Sequence, residues 1–164
     1  MLERQQVTAA AQALHENWRA GTKIAALDDW YRPVNRAEGY AIQAALERYS
    51  ATHLFGWKIA ATSEAGQKHI NVPGPMAGRI LAETVIPDGG TASMAGNEMA
   101  VAEPEFAFRM RIDLPARSTP YSMQQVLDAV DTLHPAIEIP DSRFADFVSA
   151  GEAQLIADNA CAHL

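Results

Sequence analysis

The sequence predicts an α+β fold in a single domain spanning residues 1–164. Two features carry that expectation. Residues 1–50 place apolar side chains at helical spacing, whereas residues 54–164 hold mostly short runs in which they alternate, separated by Pro and Gly. The strand-like runs do not alternate regularly with helices as a parallel sheet requires, and the middle of the chain reads as antiparallel. At 164 residues there is enough chain for one sizeable core.

The elements follow in order. Residues 3–20 read as a helix. Val7, Ala10, Ala11, Leu14 and Trp18 share one face, and Gly21 is the stop. LDDWYRP connects. Asn35 caps a second helix through Tyr49, with Tyr40, Ala41, Ala44, Ala45 and Leu46 towards the core. In LFGWKIAATS, Phe55, Trp57 and Ile59 alternate, so this segment is a strand with Lys58 on its opposite face. Thr62 or Ser63 opens a short helix to about Ile70. NVPGPMAG is a loop, RILAETVI a strand, and PDGG the turn that ends it. TASMAGNEM is a weakly patterned connector. Residues 101–112 form a strand and LPARSTPY a loop. Ser122 and Gln125 make a capping box for a helix ending near Leu133, and HPAIEIPDSRF is a strand and turn. The terminal ACAHL looks like the start of another strand, so the sheet is expected to be incomplete at its C-terminus.

Composition excludes several classes. The chain is 48% hydrophobic and 20% charged, an ordinary globular balance. A net charge of -7 argues against a broad nucleic-acid footprint. The single Cys161 excludes an internal disulfide framework and a multi-cysteine zinc site, and it fits a reducing, cytoplasmic compartment. MLERQQVTAA lacks the apolar core of a signal peptide, and no run of eighteen apolar residues predicts a membrane span.

The segment VAEPEFAF, residues 101–108, is unusual. In a strand Val101, Glu103, Glu105 and Ala107 share one face, while Ala102, Pro104, Phe106 and Phe108 share the other. The aromatic face reads as core. The other carries two like charges side by side, which repel unless a cation lies between them. A third carboxylate, Glu138, sits between Ile137 and Ile139 in a second strand. Three carboxylates on rigid strands suit a hard divalent cation such as Mg²⁺ or Mn²⁺. A solvent-facing sheet would show the same spacing. Lys58 is a lone cation in an apolar strand, fit to act as a base or to pair with a substrate carboxylate, or simply to extend its head to water. Asp141, Asp158 and Asn159 read as turn or cap residues, or as groups that orient ligands. His53, His69 and His134 have no metal-like spacing.

GWKIAATS, AEPEFAF, PAIEIPDSRF and ADNA occur in an order and spacing that resemble the 2-keto-4-pentenoate hydratase / 2-oxohept-3-ene-1,7-dioate hydratase family. That family lies in the fumarylacetoacetate hydrolase superfamily and also contains 4-oxalocrotonate decarboxylase. The match runs from roughly Phe55 to Ala160. The resemblance implies a mixed β-sheet roll of the fumarylacetoacetase C-terminal type with helices outside it. It implies that Glu103, Glu105 and Glu138 bind Mg²⁺ or Mn²⁺, which holds the substrate's carboxylate and 2-oxo oxygens. It makes Lys58 the active-site lysine, with Asp141 and Asp158 as further catalytic candidates and Ser142, Asn159 and Cys161 as substrate-binding candidates. The implied reaction is addition of water to a 2-hydroxydienoate or 2-keto-4-enoate in aromatic meta-cleavage catabolism, giving a 4-hydroxy-2-keto acid. The alternatives are a decarboxylase of the same family, or a non-catalytic remnant or partner subunit. A homo-oligomer is the usual expectation, and assembly with a partner enzyme of the same pathway is a further one that the resemblance allows.

The chain departs from the family pattern in three places. Met76 stands where hydratases carry an acid in P-D-x-G, which favours decarboxylase-like members. Cys161 replaces the usual Ser after D-N-A, and a thiol is the weaker donor. Family members also continue well beyond ADNA.

Overall fold

The computed structural model describes residues 1–51 and 53–163; Leu164, the last residue of the predicted terminal strand, lies outside them. The chain forms two compact units, Met1–Val101 with Ile139–Leu164, and Ala102–Glu138. The first unit therefore joins the helical N-terminal part to much of the sheet-forming remainder.

In the first unit, α1 spans Arg4–Ala20 and buries Ala10, Ala11 and Leu14. A capping box of Glu3 and Gln6 starts it, and Gly21, at φ 64°, ends it in the left-handed conformation that glycine adopts without steric penalty. Asn35 caps α2, Arg36–Leu46, by accepting from the Glu38 amide, and a 3₁₀ turn carries the chain on to Tyr49. The expected inner face of this helix needs correction. Ala41 and Ala44 are exposed, and the fully buried positions are Glu38, Gly39, Ile42 and Gln43. The buried polar groups are satisfied, which makes their burial tolerable. Glu38 accepts from the Val34 amide at 2.9 Å, and Gln43 donates to the Ala77 and Ile156 carbonyls at 2.9 Å each.

That face packs on α5, Glu152–Ala157, a helix that the apolar pattern did not single out. Gly39 permits the approach: a Cβ there would lie 2.6 Å from the Ala153 carbonyl oxygen. Two apolar clusters result. One gathers Ala10, Ala11, Leu14, Leu27, Ile42, Phe144 and Ala157, the other Val72, Met76, Leu155, Ile156 and Ala160.

Strand β1, Leu54–Ala60, pairs antiparallel with β2, Met76–Leu81, in a register that sets Trp57 opposite Arg79 and Lys58 opposite Gly78. Between them α3, Glu64–His69, is capped by Ser63. β2 begins inside the expected loop and stops at Leu81, because Met76, 1% exposed, anchors the strand start among Val72, Leu155 and Ile156. The alternating face of β1 is open: Phe55, Trp57 and Ile59 are all more than half exposed. The expected terminal strand is absent among the described residues. Asn159, Ala160 and Cys161 instead form a turn with φ of 56°, 52° and 61°.

In the second unit, β3, Glu103–Met110, pairs antiparallel with β4, Val130–Glu138. The capping box of Ser122 and Gln125 starts α4, Met123–Ala129, as predicted. The helix ends four residues before Leu133, because Val130 and Thr132 are drawn into the ladder opposite Met110 and Arg109. The aromatic face of β3, expected to be core, is exposed, with Phe106 at 76%. A two-stranded ribbon has no second layer of its own to cover it. Among the described residues, no helix is long and apolar enough to cross a membrane.

Candidate metal centre and the Lys58 strand

The carboxylate group is built by pairing. Period two puts Glu103 and Glu105 on one face of β3, and the register sets Glu138 directly opposite Glu103. Each of the three offers a carboxylate oxygen, and these oxygens all lie within 4.8 Å of one another. Glu103 and Glu105 are exposed and Glu138 half-buried. Like charges so placed repel, and water screens them only in part. The donor set is all hard oxygen with no thiolate or imidazole, so it fits Mg²⁺ or Mn²⁺ and is poorly matched to zinc. Three protein ligands leave coordination positions for water or a bidentate oxygen donor. Pro104, Phe106, Pro135 and Ile137 occupy the opposite face, while His134, paired with Ala107, lies on the carboxylate side.

The other expected site residues belong to the first unit. Lys58 is half-buried on β1, its stem lying across Gly78. The Asn159 side chain clasps β2. Its Oδ1 accepts from the Arg79 amide at 2.6 Å and its Nδ2 donates to the Arg79 carbonyl at 2.8 Å. Its amide hydrogen bonds therefore go to the protein backbone. Asp158 is fully buried. It is paired with Arg143, accepts the Ser142 hydroxyl at 2.7 Å and accepts the Arg143 amide at 3.1 Å. Burial pushes its carboxyl up, against the pull of the Arg143 charge and these hydrogen bonds. Ser142 also accepts from the Phe144 amide at 3.1 Å.

Asp141 is paired with Lys23 and accepts from the amides of Glu98 and Met99. It thus ties the 97–99 turn to the DSRF loop. Its own amide donates to the Cys161 carbonyl at 2.9 Å, which links the two polar islands. The Cys161 thiol is pushed up to about 12, chiefly by burial and then by the Asp158 charge, so it stays protonated at neutral pH. Among the described residues, no buried side-chain polar atom lacks a hydrogen bond.

Met76, standing where hydratases carry the acid of P-D-x-G, is buried in the apolar core. Sequence reasoning missed Arg143, Lys23 and Gly78. A lone Arg inside DSRF, next to apolar residues, was the available signal for a buried partner of Asp158. His15, stacked on Tyr49 at 4.2 Å, and His163, which accepts from the Trp18 indole at 3.0 Å, were also missed. His69 meets the Phe147 ring edge-on and His134 shares a hydrogen bond with Thr132.

No family model matches the chain. It is 33% identical over 159 residues to a 2-keto-4-pentenoate hydratase of Paraburkholderia xenovorans strain LB400, an alignment that covers 95% of this chain and 58% of that protein. It is 30% identical over 165 residues to a 2-hydroxyhexa-2,4-dienoate hydratase of Comamonas testosteroni, covering 98% of this chain and 61% of the relative. Its fold matches the 4-oxalocrotonate decarboxylase from Pseudomonas putida G7, solved in complex with magnesium and adipate. The TM-score is 0.86 at 23% identity, covering 99% of this chain and 62% of that one. The α+β class and the family fold are thereby borne out. The chain spans about three-fifths of the length of these relatives.

Proposed function

From the premise that this chain belongs to the family of the 2-keto-4-pentenoate hydratases and 4-oxalocrotonate decarboxylases, we propose that it carries the metal-binding part of a lyase for small 2-keto-4-enoate or 2-hydroxydienoate acids. The reaction is addition of water to give a 4-hydroxy-2-keto acid, as in aromatic meta-cleavage catabolism. The observation that supports this most directly is the meeting of Glu103, Glu105 and Glu138 oxygens within 4.8 Å on one ribbon face.

The three carboxylates would hold Mg²⁺ or Mn²⁺. Such an ion supplies Lewis-acid polarisation of the substrate's 2-oxygen. Lys58 is assigned to the substrate carboxylate or to proton transfer, for which a half-buried ammonium on a rigid strand is suited. Asp141, Ser142, Asp158 and Asn159 take supporting roles in place of direct ones, since their hydrogen bonds hold backbone and buried partners. Cys161, a thiol at neutral pH, offers a substrate at most a weak donor. A homo-oligomer, a cytoplasmic location and a partner enzyme of the same pathway belong to the same proposal.

Decarboxylation is the second reading. Met76, in place of the acid that hydratases carry, motivates it.

The test begins with Mn²⁺ titration followed by thermal unfolding. Saturation at about 100 times Kd stabilises the native state by about 2.7 kcal/mol. The rise should vanish in Glu138→Gln, and Glu105→Gln should abolish metal-dependent turnover. Product analysis separates the reactions: a 4-hydroxy-2-keto acid without CO₂ supports hydration, and CO₂ from 2-oxohex-3-enedioate supports decarboxylation. Full turnover by Glu105→Gln would sink the metal assignment.

A further inference from the structure

Lys58 and Gly78 face each other across the β1–β2 ladder. A Cβ built on Gly78 would stand 3.0 Å from Lys58 Cγ, 3.3 Å from Lys58 Cε and 2.6 Å from the Asn159 carbonyl oxygen. The bare glycine backbone is therefore wedged between the lysine stem and a carbonyl of the left-handed turn. The first neighbour can swing away on its rotatable bonds; the second is backbone and cannot.

The turn itself is held against β2. Through its two bonds to Arg79, the Asn159 amide acts where a peptide group of a third strand would. Three successive non-glycine residues at positive φ persist only when their surroundings over-determine them. Here the determinants are the clasp on Arg79 and the bonds of the Cys161 amide to the Asp158 carbonyl at 3.1 Å and of the Asp141 amide to the Cys161 carbonyl at 2.9 Å.

We propose that Gly78 and Asn159 are positioning residues for Lys58. Gly78 supplies the bare surface on which the stem lies, and Asn159 fixes how close the turn may come to that surface. Together they set where the ammonium is presented. The proposal deepens the lyase reading and rests on it for the role of Lys58, but not for the seating of the lysine stem on Gly78.

The chain has three lysines, Lys23, Lys58 and Lys68, so ¹³C-lysine labelling yields three side-chain spin systems, with Lys58 assigned by its loss in Lys58→Arg. The unaltered chain should show a nuclear Overhauser contact between the Lys58 stem and the Gly78 α-protons. In Gly78→Ala the Lys58 resonances should move while those of Lys23 and Lys68 stay. With Mn²⁺ and a 2-hydroxydienoate, Gly78→Ala should lower kcat/KM by up to about 100-fold, the size of loss that a misplacement of about 1 Å brings. In a Lys58→Met background it should lower it no further, because residues that act through one group are not additive.

Absence of the Overhauser contact, unmoved Lys58 resonances in folded Gly78→Ala, or an equal loss in the Lys58→Met background would each overturn the proposal. The contact needs no variant, so it decides the matter whether or not Gly78→Ala folds. If the unaltered chain does not turn over, the lyase reading fails while the contact still judges how the lysine stem is seated on Gly78.

Discussion

Replacing Gly39 by Ala should destabilise the first unit although it improves the helix that contains it. In a helix interior Ala is favoured over Gly by about 0.8–1.0 kcal/mol. Against this, the new Cβ would stand 2.6 Å from the Ala153 carbonyl oxygen and 3.1 Å from both Cβ and Cγ2 of Ile156. No rotamer change relieves a contact with a carbonyl and a β-carbon, so α2 and α5 must move apart. Overpacking of this kind typically costs about 1–3 kcal/mol, and a backbone obstacle argues for the upper half of that range. The difference is a net loss of about 1–2 kcal/mol. For a chain of this size it corresponds to roughly 2–8 °C in Tm. Thermal unfolding and urea titration should agree, with the urea midpoint falling at an unchanged slope. Ala44→Gly, at an exposed site of the same helix, isolates propensity and should lose about 1 kcal/mol. A Gly39→Ala protein with a raised Tm would show that the helices are not in backbone contact, and the account of this interface would be wrong.

Four further outcomes are expected. The Val34 amide and, less strongly, the N-terminal charge hold the Glu38 carboxyl below the ordinary Glu value. Its contribution is thus present above about pH 4.3 and lost as pH falls through its lower folded value, and Glu38→Gln should flatten the acid limb of a stability–pH curve. Burial likewise lowers His163, offset in part by Asp141 and reinforced by Arg143 and Lys23. The neutral ring accepts the Trp18 indole hydrogen, so its contribution holds above about pH 6.5 and fades on acidification; tryptophan fluorescence in His163→Gln should lose that step. Arg143→Met leaves Asp158 buried without its charge partner and should cost about 3–5 kcal/mol by urea unfolding, much of it recovered in Arg143→Met/Asp158→Asn. Glu105→Gln should raise the melting temperature of the second unit slightly in chelator and abolish its rise with Mn²⁺, a reversal of sign that simple surface damage does not produce.

Several of these features were visible in the residue pattern. A single apolar stripe with Gly21 behind it fixes α1, and Ser122 with Gln125 fixes the start of α4, because caps and stripes are local. The inner face of α2 was not, since Gln43 is buried by carbonyl partners far away in sequence and Glu38 is satisfied by the nearby Val34 amide, whereas polarity alone points outward. Period two placed Glu103 and Glu105 on one face. Only the register could add Glu138, and a one-residue slip would have turned it away. Phe106 and Phe108 misled for the opposite reason: an apolar face signals what it prefers to touch, and the ribbon itself supplies nothing to touch. Gly78 stood in the sequence only as the Gly of the P-D-x-G pattern, because its importance lies in an atom it lacks.

All three carboxylates fall within the stretch Ala102–Glu138, and this has a kinetic consequence. If these side chains hold an ion as proposed, its ligands all come from this one ribbon. The entropy of closing such a ribbon grows only with the logarithm of the loop it spans. An ion bound to these side chains would tie the two ends of the stretch together and slow its local opening. Amide exchange along β3 and β4 should then follow the free-ion concentration, while α1 and α2 exchange at a rate indifferent to it. Such a ribbon would tighten and relax with the supply of divalent cations.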